Sequence, residues 1–510
     1  MDSNIVSGPQ KSYLTTTVFG SVWTVLQFVV TFISAIAISV ILSRYLGPSK
    51  YGLLAYLSWF STSALLVINF GILTTIQTWV PKLYFTDQQS QAAWITRQLA
   101  VAQLVIVGVG AIVLIPLAWQ WHRFVSFSPS TFTTLLLLNI VPLLLNVVNA
   151  FCSTLLVSIQ RFKTATIIII LGQGLALIGA VATALMHWQL FGLLIMLSIA
   201  NGLLFVVYLW TARDILFQLT RSWSGLAAWS TLLKFSGWAY ANILLTVVIW
   251  DKSIFFFLGK FQHGHDLAIY GIAYTLSITI TGALDPLLTV FSTILAELVA
   301  KNDWPRVQLI VRLCAKYVAL LLLPLVILSY VISPYIVRLA YGTSFIQVAA
   351  LVPILLLAST TNKIFVTAWT IPQYKQDLQA VVPRNALVAL CTIVLALVLI
   401  PRFGVWGAAA ASLTTQVLAT LMLSLFVRRY KLYVWTKELG GVIILNVVGG
   451  ILVLLPILVH TPKSATQTSA LVFFLGYIII VWRYMIGPVD RQLVQQALAT
   501  LRQRPSTSKT

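Results

Sequence analysis

Charge is what this sequence has least of. Asp, Glu, Lys and Arg make up only 8% of its 510 residues, and just 11 residues are acidic. A soluble domain carries about 25% charged residues. Hydrophobic residues reach 59% and mean hydropathy is +0.96. No soluble interior could hold that surplus, so it must face lipid, which excludes most soluble enzymes. Cysteine is equally scarce. Cys152, Cys314 and Cys391 all lie in apolar runs, without the spacing of a metal pair or a disulfide framework. His122, His187, His263, His265 and His460 fall in or near short loops. His263 and His265 are an i, i+2 pair lacking a third ligand, so no metal site is expected. No GxxxxGK[ST] phosphate loop is present, which argues against direct use of ATP.

What the chain does have is apolar runs of membrane-spanning length, about 20 residues each. Fourteen are expected near 16–43, 51–73, 92–119, 132–158, 163–186, 190–212, 235–259, 268–298, 309–333, 346–371, 378–400, 404–427, 440–460 and 466–486. The first is too long for a signal-peptide core and lacks a cleavage site, so it reads as a retained span. The loops leave no room for a folded extramembrane domain. The reading is therefore an all-α polytopic membrane protein.

The basic residues test that count. With the N-terminus inside, 24 of the 32 Lys and Arg fall on the N-terminus, the even loops, the inward helix ends and the tail. This is the positive-inside pattern, with both termini cytoplasmic. It explains the net charge of +21 through anionic headgroups, with no need for nucleic acid.

The chain also repeats. Tyr51, Gly52, Leu57 and Ser58 match Tyr270, Gly271, Leu276 and Ser277. Val141-Pro142 matches Val352-Pro353, Phe162-Lys163 matches Tyr374-Lys375, and Phe191-Gly192 matches Phe403-Gly404. All four matches keep one order and land at equivalent helix ends. Spans 1–6 thus recur as spans 7–12, with spans 13–14 appended. Six is even, so the copies are parallel, an arrangement that places a transport site between two rocking halves. The expected units are a cytoplasmic N-terminus (1–15), an N-lobe (16–213), a linker (214–234), a C-lobe (235–430), helices 13–14 (431–486) and a cytoplasmic tail (487–510).

Ser43-Arg44-Tyr45-Leu46-Gly47-Pro48-Ser49-Lys50-Tyr51-Gly52 resembles the first-loop signature of polysaccharide flippases. These are the O-antigen and exopolysaccharide transporters of the multidrug/oligosaccharidyl-lipid/polysaccharide exporter superfamily. Asp251-Lys252 through Leu258-Gly259 to Tyr270-Gly271 is similar to that family's seventh-helix pattern. Arg338-Leu339-Ala340-Tyr341-Gly342 resembles its loop after helix 9. Ile400-Pro401-Arg402-Phe403-Gly404 with Gly407-Ala408-Ala409-Ala410 resembles its turn into helix 12. Asn69-Phe70-Gly71 stands where the family often has an acid before the glycine. The motifs are turn and packing residues, in which Gly-Pro and Tyr-Gly stop one helix and start the next.

The resemblance implies a secondary active flippase in a prokaryotic inner membrane. Its cargo would be a polyprenyl-diphosphate-linked oligosaccharide, its partners the bilayer and a polysaccharide polymerase machinery. No cofactor is expected beyond an H⁺ or Na⁺ coupling ion. A cation-coupled multidrug exporter or a lipid II flippase is the alternative. A polyprenyl-glycan polymerase or glycosyltransferase is more remote, because the short outer loops hold one acid, Asp266.

Ionisable residues inside apolar spans are costly and so mark function. Asp285, followed by the helix-kinking Pro286, and Asp251 are the ion-coupling candidates. Each has a packing role as its alternative. Lys363, Lys252 and Arg44 are the diphosphate candidates, with Arg97 and Arg384 at the cytoplasmic mouth. Asn139, Asn146 and Asn149 place amides along span 4, with Asn139 and Asn146 a heptad apart. They either hydrogen-bond sugars or join helices. Trp250 and Trp369 could stack on sugar rings.

Overall fold

The computed structural model describes residues 10–84, 89–125, 127–216, 237–238, 240–247, 253–375, 378–458, 463–481 and 483. Trp250, Asp251 and Lys252 lie outside the described residues, as do most of the expected linker and the whole tail. The N-terminal half contains α1 (Gln10–Ile68), α2 (Ile72–Tyr84), α3 (Gln89–Trp121), α4 (Pro129–Ser158), α5 (Phe162–Leu185) and α6 (Gln189–Leu216). Then follow α7 (Ser253–Phe261), α8 (Gly264–Gly282), α9 (Asp285–Ala300), α10 (Trp304–Ala340), α11 (Val348–Ile364), α12 (Val366–Tyr374), α13 (Leu378–Val427), α14 (Lys437–Leu458) and α15 (Lys463–Ile480).

Two of these helices are too long to be single spans. At 1.5 Å per residue α1 would measure about 90 Å and α13 about 75 Å, against about 30 Å of hydrocarbon. Each is broken by one glycine. Gly47 has φ 71° and ψ 174°, and Gly404 has φ 56° and ψ −129°. Those angles are open to glycine and costly for residues with a Cβ. Pro48 follows the first break and Pro401 precedes the second. Spans 1 and 2, and spans 11 and 12, therefore meet end to end at sharp turns. With the bent pairs joined, the chain forms about fourteen spans in two parallel six-helix repeats, with α14 and α15 appended.

Three spans are broken within the membrane. Span 8 bends by 52° between α8 and α9, as Pro286 leads one to expect, and span 10 bends by 45° between α11 and α12. Span 2 breaks at Phe70 (φ 44°) and Gly71 (φ 74°). It then continues as α2 to Tyr84, which corrects the expected end near 73. Spans 2 and 8 are both broken, though at different depths: Gly71 lies 20 residues past Tyr51, and Ala283 lies 13 past Tyr270.

In the N-terminal repeat α4 packs on α6, and α5 on α1 and α6; in the C-terminal repeat α11 packs on α8 and α13. The appended helices α14 and α15 lie together against α10. Ala408, Ala409 and Ala411 are fully buried, because small residues let membrane helices approach closely. The loops expected to share the basic face do meet. Lys375 Nζ lies 4.3 Å from the Trp304 ring and 5.2 Å from the Tyr430 ring. Gln308 bonds the Tyr433 backbone in both directions, and Arg312 pairs with Glu438.

Candidate functional site

On the face of the first loop, opposite the basic one, the two lobes are sealed together. Ser39 Oγ bonds the hydroxyls of Tyr51 (2.8 Å) and Tyr341 (3.3 Å). Tyr341 lies one residue past its span. Burial holds its hydroxyl above the usual tyrosine range, partly offset by the Ser39 bond, so it stays neutral. The Tyr51 ring meets Phe345 edge-on at 6.3 Å.

Glycines make the closest approach. A Cβ on Gly52 would lie 1.6 Å from the Gly264 carbonyl oxygen, and one on Gly259 would lie 2.3 Å from the Tyr56 ring. A Cβ on Gly271 would lie 3.0 Å from that of Ala55. The repeated Tyr-Gly pairs are thus lobe-to-lobe contact surfaces, a role beyond stopping and starting helices.

Arg44 belongs to this seal. Its Nε donates to the Ala340 carbonyl at 2.6 Å and its Nη2 to the Leu339 carbonyl. These are orphan carbonyls at the C-terminal end of α10, where a cation is favoured. The structure therefore separates Arg44 from Lys363, the other described member of that candidate set, and makes it a helix cap.

A pocket of about 340 Å³ lies beneath the seal, bordered by Ser39, Ser58, Thr62, Tyr274 and Thr275. Tyr274 also lines a larger cavity of about 610 Å³. There the walls are polar: Asn242, Thr281, Asp285, Ser359, Asn362, Lys363, Trp369, Thr370 and Gln416. Two sequence candidates meet here, because Lys363 Nζ pairs with Asp285 Oδ1. The Asp285 side chain is half exposed. It is a paired acid whose side chain borders the cavity.

Behind Trp369 stands Arg384, about nine-tenths buried. Its guanidinium carbon lies 4.2 Å from the Trp369 ring and 5.1 Å from that of Phe426. Nε and Nη2 donate to Asn385 Oδ1 at 3.2 and 2.8 Å, and Asn385 Nδ2 donates to Asn242 Oδ1 at 2.7 Å. Nη1 has no hydrogen-bond partner among the described residues, and none of their carboxylates pairs with this cation. Sequence reading put Arg384 at a mouth and missed this stack and its amide relay. Pro383-Arg384-Asn385 in the second turn of an apolar span was the available signal.

The amides of α4 divide. Asn139 is buried and donates to Ser61 Oγ (2.7 Å) and the Leu57 carbonyl (3.3 Å), joining span 4 to span 2. Asn146 and Asn149 line a separate pocket of about 350 Å³ within the N-lobe, with Ser153, Gln173, Asn201 and Tyr208. Asn149 donates to Asn201. The heptad spacing of Asn139 and Asn146 does not give them one environment, because Asn146 is exposed. Arg97 is likewise exposed. Among the described residues no group of three metal-ligating side chains occurs.

Two parallel six-helix lobes, sealed together on one face and with a polar cavity lined by the C-lobe, define an all-α polytopic membrane fold. Solved structures agree in fold. A structure described as "Lipid II flippase MurJ, inward closed conformation" superposes with TM-score 0.68 at 13% identity, covering 92% of this chain and 100% of that one. An inward-facing multidrug resistance MATE transporter of the MOP superfamily gives TM-score 0.62 at 11% identity, covering 78% and 94%. An outward-facing one gives 0.57 at 12%, covering 84% and 96%. No curated protein matches the chain significantly by sequence. The family described as polysaccharide biosynthesis protein matches residues 41–350. The chain belongs to that family.

Proposed function

We propose that the protein is a secondary active flippase that carries a polyprenyl-diphosphate-linked oligosaccharide from the inner to the outer leaflet by alternating access. One observation carries this reading. The polar cavity lined by C-lobe residues holds Lys363 in its wall, with the buried Arg384 one ring behind, and shares Tyr274 with the pocket beneath the seal. A dense anion such as a diphosphate is what ammonium and guanidinium groups recognise. A cationic drug would meet repulsion there. In this reading the protein sits in a prokaryotic inner membrane with both termini cytoplasmic, so the basic face is inside. The conformation described is then closed to the outside.

Asp285 is the coupling residue for H⁺ or Na⁺, with Asp251 as a second candidate. The substrate's tail fits an apolar groove of about 350 Å³ between α10, α11 and α14, bordered by Leu323, Ile327, Leu357, Ile443 and Val447. A polysaccharide polymerase is the downstream partner.

The test is flipping in proteoliposomes. A fluorescent polyprenyl-diphosphate oligosaccharide is loaded on one leaflet, and its exposure to a quencher on the other is followed with and without an H⁺ or Na⁺ gradient. Gradient-dependent flipping that is lost in Lys363→Gln is the expected result. No flipping of several glycans, together with gradient-driven efflux of cationic dyes, would overturn the proposal.

A further inference from the structure

The Lys363–Asp285 ion pair stands at two helix breaks at once. Asp285 is the first residue of α9, just past the 52° bend of span 8. Lys363 is the second-last residue of α11, just before the 45° bend of span 10. Residues 78 apart in sequence thus tie together the two bent spans that line the cavity. The pair is unevenly covered, with side-chain exposures of 50% for Asp285 and 21% for Lys363. The carboxylate is reachable from the cavity, while the ammonium is mostly sheltered beneath it.

Charge balance gives this arrangement a meaning. Among the described residues, the charged groups around the cavity are Lys363, Asp285 and, behind Trp369, Arg384; Tyr274 is the other titratable group in its wall. Two cations therefore stand near one anion, Lys363 in the wall and Arg384 behind it. A carboxylate oxygen on an ammonium makes the same charge-assisted contact as a phosphate oxygen.

We infer, building on the flippase reading above, that Asp285 is a tethered place-holder for the substrate's phosphate. An incoming diphosphate displaces Asp285 from Lys363 and takes its place. No covalent bond changes: one ammonium–carboxylate contact is exchanged for one ammonium–phosphate contact. A diphosphate diester brings two negative charges, which Lys363 and Arg384 balance. The displaced Asp285 is then the surplus charge and turns into the cavity, and the same exchange unties the two bent spans. When the cargo leaves, Asp285 returns to Lys363.

Inorganic pyrophosphate binding to the full-length protein in nanodiscs, measured by calorimetry, tests this directly. Asp285→Asn removes the competitor and keeps the side-chain shape. It should bind pyrophosphate about fivefold more tightly than wild type, the factor expected from deleting a partly exposed ion pair. Asp285→Glu should stay near wild type, because it restores a competing carboxylate. Lys363→Gln should lose binding in either background.

Unchanged or weaker binding in Asp285→Asn, with wild-type thermal unfolding, overturns the inference. So does tighter binding that persists in the Lys363→Gln double variant. Doping the nanodisc with polyprenyl diphosphate distinguishes the sources of the anion. Competition with pyrophosphate identifies the lipid headgroup as the occupant, whereas no competition refutes a lipid-borne one. The flippase reading fails separately. If wild type flips no glycan while Asp285→Asn still gains affinity, the exchange stands and the cargo assignment falls.

Discussion

The seal on the first-loop face can be wedged at one atom. A Cβ at Gly52 would sit 1.6 Å from the Gly264 carbonyl oxygen and 2.5 Å from its carbon. Both are backbone atoms, so no rotamer change relieves the clash. The two lobes would have to part by well over 1 Å. Overpacking a close contact costs about 1–3 kcal/mol, and a backbone clash belongs at the top of that range. A bias of about 3 kcal/mol against the sealed state is about a 150-fold change in its equilibrium.

Gly52→Val should therefore shift the population toward opening on the first-loop face. The assay is labelling of Thr275→Cys, beneath the seal, with a membrane-impermeant maleimide in a background lacking Cys152, Cys314 and Cys391. Labelling from the first-loop face should rise sharply in Gly52→Val. It should not change in Gly174→Val, where an added Cβ meets nothing within 4 Å. Equal labelling in both variants would refute the assignment of the Tyr-Gly pairs to the seal.

Asn139→Leu should lower thermal stability by about 0.6–1.7 kcal/mol, the range for interhelical hydrogen bonds in membranes, and leave flipping by the folded protein intact. Lost flipping at unchanged stability would instead make Asn139 a sugar contact. Arg384→Met removes a buried cation that lacks a carboxylate partner among the described residues, so thermal unfolding should stay unchanged or rise, while pyrophosphate affinity falls. A large loss of stability with unchanged affinity would make Arg384 purely structural. Asn69 is buried with neither amide atom bonded among the described residues. Asn69→Ala should raise the unfolding temperature, because unsatisfied polar atoms cost about 1–3 kcal/mol, and an unchanged temperature would show that they are bonded.

The spans and the repeat were legible because apolar length and turn residues are local signals. Gly47-Pro48 and Pro401 with Gly404 mark the two sharp turns, and Pro286 marks the bend of span 8. The bend in span 10 has no proline or glycine at it: the polar stretch Ser359-Thr360-Thr361-Asn362-Lys363 runs directly into Ile364-Phe365-Val366. The ion pair was hidden for a different reason. Lys363 and Asp285 were each visible as an expensive intramembrane charge, but sequence gives no distance between them, so they were assigned separate ligands. Arg44 looked like a free cation because its acceptors are backbone carbonyls that exist only where α10 ends. The heptad spacing of Asn139 and Asn146 misled because span 4 faces span 2 at one level and spans 5 and 6 at the other.

The breaks also explain why the cavity is where it is. Broken backbone is tolerated at membrane depth only where protein or a water-filled cavity satisfies the freed groups. Spans 8 and 10 meet that condition by bending at the cavity wall, where Asp285, Lys363 and Val366 lie. Span 2 of the other copy is broken too, but Asn69 stands beside its break, and the Phe70 ring meets Tyr240 of span 7 at 4.2 Å. One copy thus uses its break to hold a charge pair, and the other uses it to touch the opposite lobe. The repeat is symmetric in backbone and asymmetric in chemistry.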